Sequence, residues 1–240
     1  MKQKLIKYLS KYITENSLNQ FDKVIQYRTK YITVVLEDIY QPHNASAVLR
    51  TCDCFGIQNV HIIENKNQYR INPDVTLGSN QWLTINKYNK EKHNTLATIK
   101  QLKSNGYRII ATTPHKNDVN LNELDLEKGK IALFFGAELP GLSNVMLDNA
   151  DEFLKIPMYG FTESYNISVS AAIILHHVSE KLRNSNIDWR LTNDQREDIM
   201  LDWLKTSIKK SELIVEKFYS KQKPILAYPP QTKGTNGKII

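Results

Sequence analysis

The residues of this sequence with the types and settings to do chemistry are Glu138, Arg50 and two asparagines, Asn44 and Asn166. Glu138 lies in Gly136-Ala-Glu-Leu-Pro-Gly-Leu-Ser143, directly after the apolar run Ile131-Ala-Leu-Phe-Phe135. That run reads as a strand buried on both faces. Gly136 ends it, at a point where the backbone can turn or a ligand can approach without a Cβ in the way. Ser143 is placed to cap a helix over 144–149. A carboxylate in a glycine loop between a strand and a helix N-terminus suits an anionic or polar ligand at the carboxyl edge of a sheet. No Lys follows the second glycine and no GxGxxG is present here, which argues against a nucleoside triphosphate.

Arg50 lies about two turns into a helix read over 44–55, with Asn44 near its start and Gly56 closing it. A surface salt bridge and a place in a site are both open to it. Asn166 supplies an amide at the entrance of another helix, where orphan N–H groups point outward. The first turns of that helix are small (Ser168, Ser170, Ala171, Ala172), so a second backbone or a flat ligand can come close. His176 and His177 are adjacent and lack metal-ligand spacing; core or interface positions suit them best.

The elements that must position these residues alternate. Strands read at 32–36, 60–63, 83–85, 107–112, 131–135 and 152–156, the fourth running on to Thr113 and Pro114. Helices read at 1–30, 94–104, after 166 and at 194–220. This order predicts an open, mostly parallel α/β sheet, with helices at both termini. From Lys221 onward, prolines and glycines predict an extended or disordered tail.

Composition narrows the class. The chain has 240 residues, 41% hydrophobic and 24% charged, as in an ordinary globular protein. No apolar run is long enough to span a bilayer, and the N-terminus lacks a secretory core, so a cytoplasmic location is expected. Cys52 and Cys54, two apart on a helix, support neither a disulfide nor a zinc site and read as two buried thiols. The formal charge is +7. Residues 1–30 hold seven Lys and Arg against two acids, and residues 181–240 hold twelve against seven, so each flank is +5. The 150 residues between hold thirteen against sixteen, a net of −3. Basic arms around a near-neutral core suit a polyanion.

Three motifs stand in a fixed order: Asn44-Ala-Ser-Ala-Val-Leu-Arg50 with Cys52-Asp-Cys-Phe-Gly56, then Phe135-Gly-Ala-Glu-Leu-Pro-Gly-Leu-Ser143, then Ile156-Pro-Met with Ser164-Tyr-Asn-Ile-Ser-Val-Ser-Ala-Ala172. Together they resemble the SPOUT class of RNA methyltransferases, in particular its TrmH branch of ribose 2′-O-methyltransferases, over roughly residues 28–180. The resemblance implies a C-terminal deep trefoil knot, an S-adenosylmethionine pocket lined by Thr112, Gly136, Ile156 and Tyr165, and a homodimer with the helix after Asn166 at its interface. The residues themselves lead to no expectation of a metal or a membrane partner. Arg50 is implied as the proton acceptor at the reacting ribose, helped by a substrate phosphate; since arginine stays protonated at ordinary pH, the alternative is that it anchors the phosphate and polarises the hydroxyl. Asn44 and Asn166 would orient Arg50 and the ribose, Glu138 would position Arg50 or its loop, and Ser164 would add a polar contact.

The same resemblance divides the chain into a basic helical arm (1–30), a methyltransferase domain (31–180), a helical extension (181–222) and a tail (223–240). A short arm with a C-terminal extension holding Trp189 and Trp203 looks like the branch members that act on tRNA at the D-loop guanosine(18). Arg28 and Lys30 would join Arg50 on the RNA. The arm is poorer in arginine than is usual in that branch, Arg28 being its one arginine. Ribosomal RNA or another tRNA position is the alternative target, and a non-catalytic RNA binder is the alternative of another class.

Overall fold

The computed structural model describes residues 1–113 and 119–220. Among these, the strands are β1 (Ile32–Glu37), β2 (Asn59–Ile63), β3 (Thr84–Tyr88), β4 (Arg108–Thr112), β5 (Val119–Asn120), β6 (Ile131–Phe135) and β7 (Glu152–Lys155). They form one sheet in the order β3-β2-β1-β6-β4-β7-β5 with every pairing parallel. The central pair is β1 with β6, in register from Ile32 opposite Ile131 to Leu36 opposite Phe135. Because all strands point the same way, all of their carboxyl ends lie along one edge, and the connections must cross over the faces. The β-branched and apolar content of β1 and β6 is what a strand covered on both faces requires, and every residue of both is buried.

The helices are α1 (Lys2–Leu9), α2 (Glu15–Ile25), α3 (Pro42–Cys54), α4 (Pro73–Thr76), α5 (Thr95–Ser104), α6 (Asn144–Leu147), α7 (Ile167–Arg183), α8 (Asn193–Ser207) and α9 (Ser211–Ser220). The alternation of side chains along β1 sorts them into layers. Val34 and Leu36 share a core with Val48, Leu49 and Cys52 of α3 and with Ala171, Ile174 and Val178 of α7. Val35, one step out of phase, packs on the other face with Ile99 and Leu102 of α5 and Met146 of α6.

The helices at the two ends of the chain build a third core together. Leu5, Leu9, Phe21 and Ile25 pack with Trp203, Leu204 and Phe218, and Trp203 Nε1 donates to the Trp82 carbonyl at 3.0 Å. Each such side chain, fully buried, contributes roughly 1.5–3 kcal/mol. The arm expected over 1–30 is therefore two helices rather than one, broken at 10–14, where the Thr14 hydroxyl caps α2 by accepting from the Ser17 N–H at 3.2 Å. Likewise 194–220 is broken between α8 and α9, where Lys210 takes a positive φ of 57°.

Two expectations are corrected here. Cys54 is exposed; of the pair only Cys52 is buried, because residues two apart on α3 face different ways. Arg28 is 2% exposed, ion-paired with Asp53, and its guanidinium lies 5.4 Å from the Trp203 ring centre. It ties the terminal core to α3 and has no surface to offer an RNA. The short β5 has no sequence signal, being two residues long. Pro114 and the tail from Lys221 lie outside the described residues.

Candidate active site

The site is built by the loops that leave the carboxyl ends of β1, β6 and β7. Asn44 is in the first turn of α3, where capping the helix is its expected role. Pro42 opens the helix instead, and the Asn44 side chain turns toward the loop after β6. Its Nδ2 donates to Glu138 Oε1 at 2.7 Å and to Gln41 Oε1 at 3.3 Å. Asn166 is the N-cap of α7, its Oδ1 accepting from the Ser168 N–H at 2.8 Å and the Ser168 hydroxyl at 2.6 Å. That leaves its Nδ2 to donate to Glu138 Oε1 at 2.8 Å and to Asn44 Oδ1 at 3.2 Å. Three loops from three strands thus meet on one carboxylate oxygen. Glu138 Oε2 has no hydrogen bond from a described residue, so the cluster presents one open anionic oxygen.

Next to this cluster is a cavity of about 330 Å³ between the loop 136–142 and the stretch 154–167. Thr112, Gly136, Ile156 and Tyr165 all line it, as do Ser164 and Glu138. Its apolar wall is supplied by Phe135, Leu142, Leu154 and Ile174, residues whose sequence setting reads only as core. Thr112 is held by donating from Oγ1 to the Phe134 carbonyl at 2.7 Å. Gly136 is required for a specific reason: a Cβ there would come within 2.2 Å of the Gly141 carbonyl carbon, so the loop could not fold back on itself.

One site residue carries no recognised motif. Glu37, the last residue of β1, is 2% exposed. Its carboxylate accepts from the Ser143 N–H at 2.9 Å, the Ser143 hydroxyl at 2.7 Å and the Thr95 hydroxyl at 2.6 Å. Ser143 in turn caps α6 by accepting from the Met146 N–H at 3.2 Å. Glu37 therefore fixes the far end of the loop that carries Glu138. The one signal the sequence offers for it is an acid ending an otherwise apolar strand.

Arg50 is not part of the cluster. It is exposed and makes no hydrogen bond or ion pair with a described residue. Six residues along a helix is about 9 Å of rise and about 1.7 turns, so Arg50 points roughly 120° away from the Asn44 face. The side chains expected to orient Arg50 bond to one another instead. Lys30 is partly exposed. Leu139 and Tyr165, which line the cavity, are fully and 43% exposed, and Phe161 in the stretch after β7 is fully exposed. On the outer side of α7, His176 packs edge-on against Phe55, and burial pushes the His177 pKa down, with Lys181 and His176 adding to the effect. Among the described residues no cluster of His, Cys, Asp and Glu could hold a metal ion.

Comparison with known proteins accords with this geometry. A family model described as the SpoU rRNA Methylase family matches residues 31–176. The tRNA (guanosine(18)-2'-O)-methyltransferase of Borreliella burgdorferi is 46% identical over 211 residues, 88% of this chain and 94% of that protein. The crystal structure of the A. aeolicus TrmH/SpoU tRNA modifying enzyme aligns with a TM-score of 0.72 at 30% identity, over 81% of this chain and 98% of that one. An AdoMet-bound rRNA methyltransferase from Sinorhizobium meliloti shares the fold at 22% identity, with a TM-score of 0.56 over 66% of this chain and 59% of that one.

Proposed function

The chain belongs to the SpoU methylase family, and from that premise we propose that it transfers a methyl group from S-adenosylmethionine to the ribose 2′-hydroxyl of guanosine(18) in the D-loop of tRNA. The observation that carries this reading is the junction of the Asn44–Glu138–Asn166 cluster with the cavity at the carboxyl edge of the sheet. The cavity suits S-adenosylmethionine: apolar walls for the adenine and chain, loop backbone at 136–142, and a polar mouth at Ser164 and Glu138. When bound there, the cofactor supplies an electrophilic methyl group. The tRNA assignment follows the Borreliella protein, whose name specifies that reaction and whose length is matched almost throughout.

A ribose hydroxyl is a weak nucleophile until its proton is shared. Asn44 and Asn166 both hold Glu138 through Oε1, which leaves Oε2 open as an acceptor for the substrate. Arg50 is a permanent cation and cannot act as a base at ordinary pH. Its role is to hold a substrate phosphate, the proton leaving to phosphate, water or the open Glu138 oxygen. The chain after β7 forms the deep trefoil knot of the class, and residues 31–180 are the catalytic domain, with 1–30, 181–222 and 223–240 as appendages. The functional unit is a homodimer, with α7 at its interface. The exposed Leu139, Phe161 and Tyr165 support that assembly, since large apolar side chains are better covered than solvated.

The test is methyl transfer from labelled S-adenosylmethionine to unmodified tRNA transcripts, with nuclease digestion and mass spectrometry to locate the product. A 2′-O-methylguanosine in the D-loop is expected. Modification of ribosomal RNA fragments alone would move the target, and no product on either RNA would remove the reaction.

A further inference from the structure

The carboxyl edge of the sheet extends past the site. Next to β1 lie β2 and then β3, both parallel to it, so the loops over 64–72 and 89–94 emerge along the same edge as the loop leading to Asn44. These three loops are fastened to one another. Asp38, with a positive φ of 50°, accepts through Oδ1 from the N–H groups of Asn65 at 2.7 Å and Lys66 at 2.8 Å. Asn65 Oδ1 accepts from the Asn94 N–H at 2.6 Å. Asn94, itself buried, closes the last loop by accepting from the Glu91 N–H at 3.1 Å and donating to the Glu91 carbonyl at 2.8 Å.

On this platform Lys66, Arg70, Lys90 and Lys92 are exposed, and none of their side chains bonds to a described residue. The acids exposed in the same stretch are Asp74 and Glu91; Glu64 is buried and faces Lys87 at 3.4 Å. Some cations elsewhere are used by the fold: Arg108 pairs with Glu152, Lys103 with Asp151, and Lys2 with Asp194 and Asp198. Four free cations on a backbone already locked in place can meet a polyanion without ordering the loops first.

We propose that this platform is an RNA-binding surface separate from the basic arms, holding phosphates of the strand that flanks the reacting nucleotide. The proposal rests on the reading of the substrate as RNA. Its continuity with the site is structural, since Asp38 begins the loop that leads into α3, whose first turn holds Asn44. Lysines here neutralise phosphate as point charges and read no base edge, so the surface adds affinity and register without sequence preference.

The experiment is a salt titration of tRNA binding in the full chain, without turnover, for wild type and for the quadruple variant K66Q/R70Q/K90Q/K92Q. Loss of four phosphate contacts makes the slope of log affinity against log salt shallower by about 3. Cofactor affinity and melting temperature, expected unchanged, show that the variant is folded. A K100Q/K128Q control removes exposed charge from α5 and from the loop before β6. A slope equal to wild type in the quadruple variant would overturn the proposal, as would an equal loss per charge in the control. Because binding is read without methyl transfer, a wild type that binds with the expected slope difference but transfers nothing removes the reaction and keeps the surface.

Discussion

At the two edges of the sheet, several charged side chains are used in opposite ways. At the amino edge, where β4, β6 and β7 begin, Arg108 is consumed by Glu152 and the Asp125 carbonyl. Lys130 there donates to the Asn105 carbonyl at 2.7 Å and lies 4.7 Å from the Tyr107 ring centre, while Lys103 meets Asp151 at 2.7 Å. At the carboxyl edge the acids and amides hold backbone and one another, and Lys66, Arg70, Lys90, Lys92 and Arg50 are left without partners among the described residues. One edge closes the fold, and the other is prepared for a ligand. What distinguishes Arg108, Lys103 and Lys130 from Lys66, Arg70, Lys90, Lys92 and Arg50 is the partner, not the charge.

The contrast is tested most severely at Arg50. Arg50→Ala is expected to lower kcat by roughly 10³-fold, in the range of losing a transition-state contact. Cofactor affinity by calorimetry and unfolding free energy should remain as in wild type. Equal loss of turnover and cofactor binding would place Arg50 on the structural side and break the comparison.

Between the edges lies His61 of β2, which shares a hydrogen bond with Tyr88 at 2.9 Å and whose pKa is lowered to about 4 by burial. The unfolded chain takes up a proton near pH 6.5, while the folded chain resists until about 4. More protons are therefore bound by the unfolded state in that window, and stability falls as pH drops through it, by about 3 kcal/mol in all. The difference in unfolding free energy between wild type and His61→Phe should shrink or reverse by that amount from pH 7 to pH 4. A pH-independent difference would count against a neutral interior.

Arg108→Ala should do what Arg50→Ala does not. Leaving the largely buried Glu152 carboxylate without its cation is expected to lower stability by about 2 kcal/mol in a denaturant titration. Methyl transfer per folded molecule should be unaffected; a selective loss of activity would assign the amino edge a functional part.

The smallest effect sharpens the picture inside the carboxyl edge. Ser143→Ala removes a helix cap and the hydroxyl bond to Glu37, at a stability cost of about 1 kcal/mol. Because the loop 136–142 walls the cavity, cofactor affinity should fall as well. Lost stability with intact affinity would show that Glu138 and its loop are held well enough by Asn44 and Asn166 alone.

Much of this is legible from residue order. The run 131–135 is apolar throughout because a central strand is covered on both faces, and the structure places the strand at those residues. The four residues that the family resemblance implied for a cofactor pocket line one cavity at the carboxyl edge of the sheet. Arg28 misleads for an equally physical reason. An arginine beside lysines reads as surface charge, and only the approach of Asp53 and Trp203, both distant along the chain, makes its burial tolerable. Glu37 gives no comparable warning because its three donors come from Thr95 and Ser143, far along the chain.

Periodicity, turn chemistry and short motifs are local, and they suffice for most of the strand and helix order, the parallel sheet and the family. Which side chains meet is settled only in three dimensions. Asn44 and Asn166 lie 122 positions apart and could each have served only as a helix cap; the sheet order brings β1 beside β6 and lets both amides reach one oxygen of Glu138. Hydrogen bonds between distant residues leave no local pattern, because the chain between them is free to be any length that the fold can accommodate.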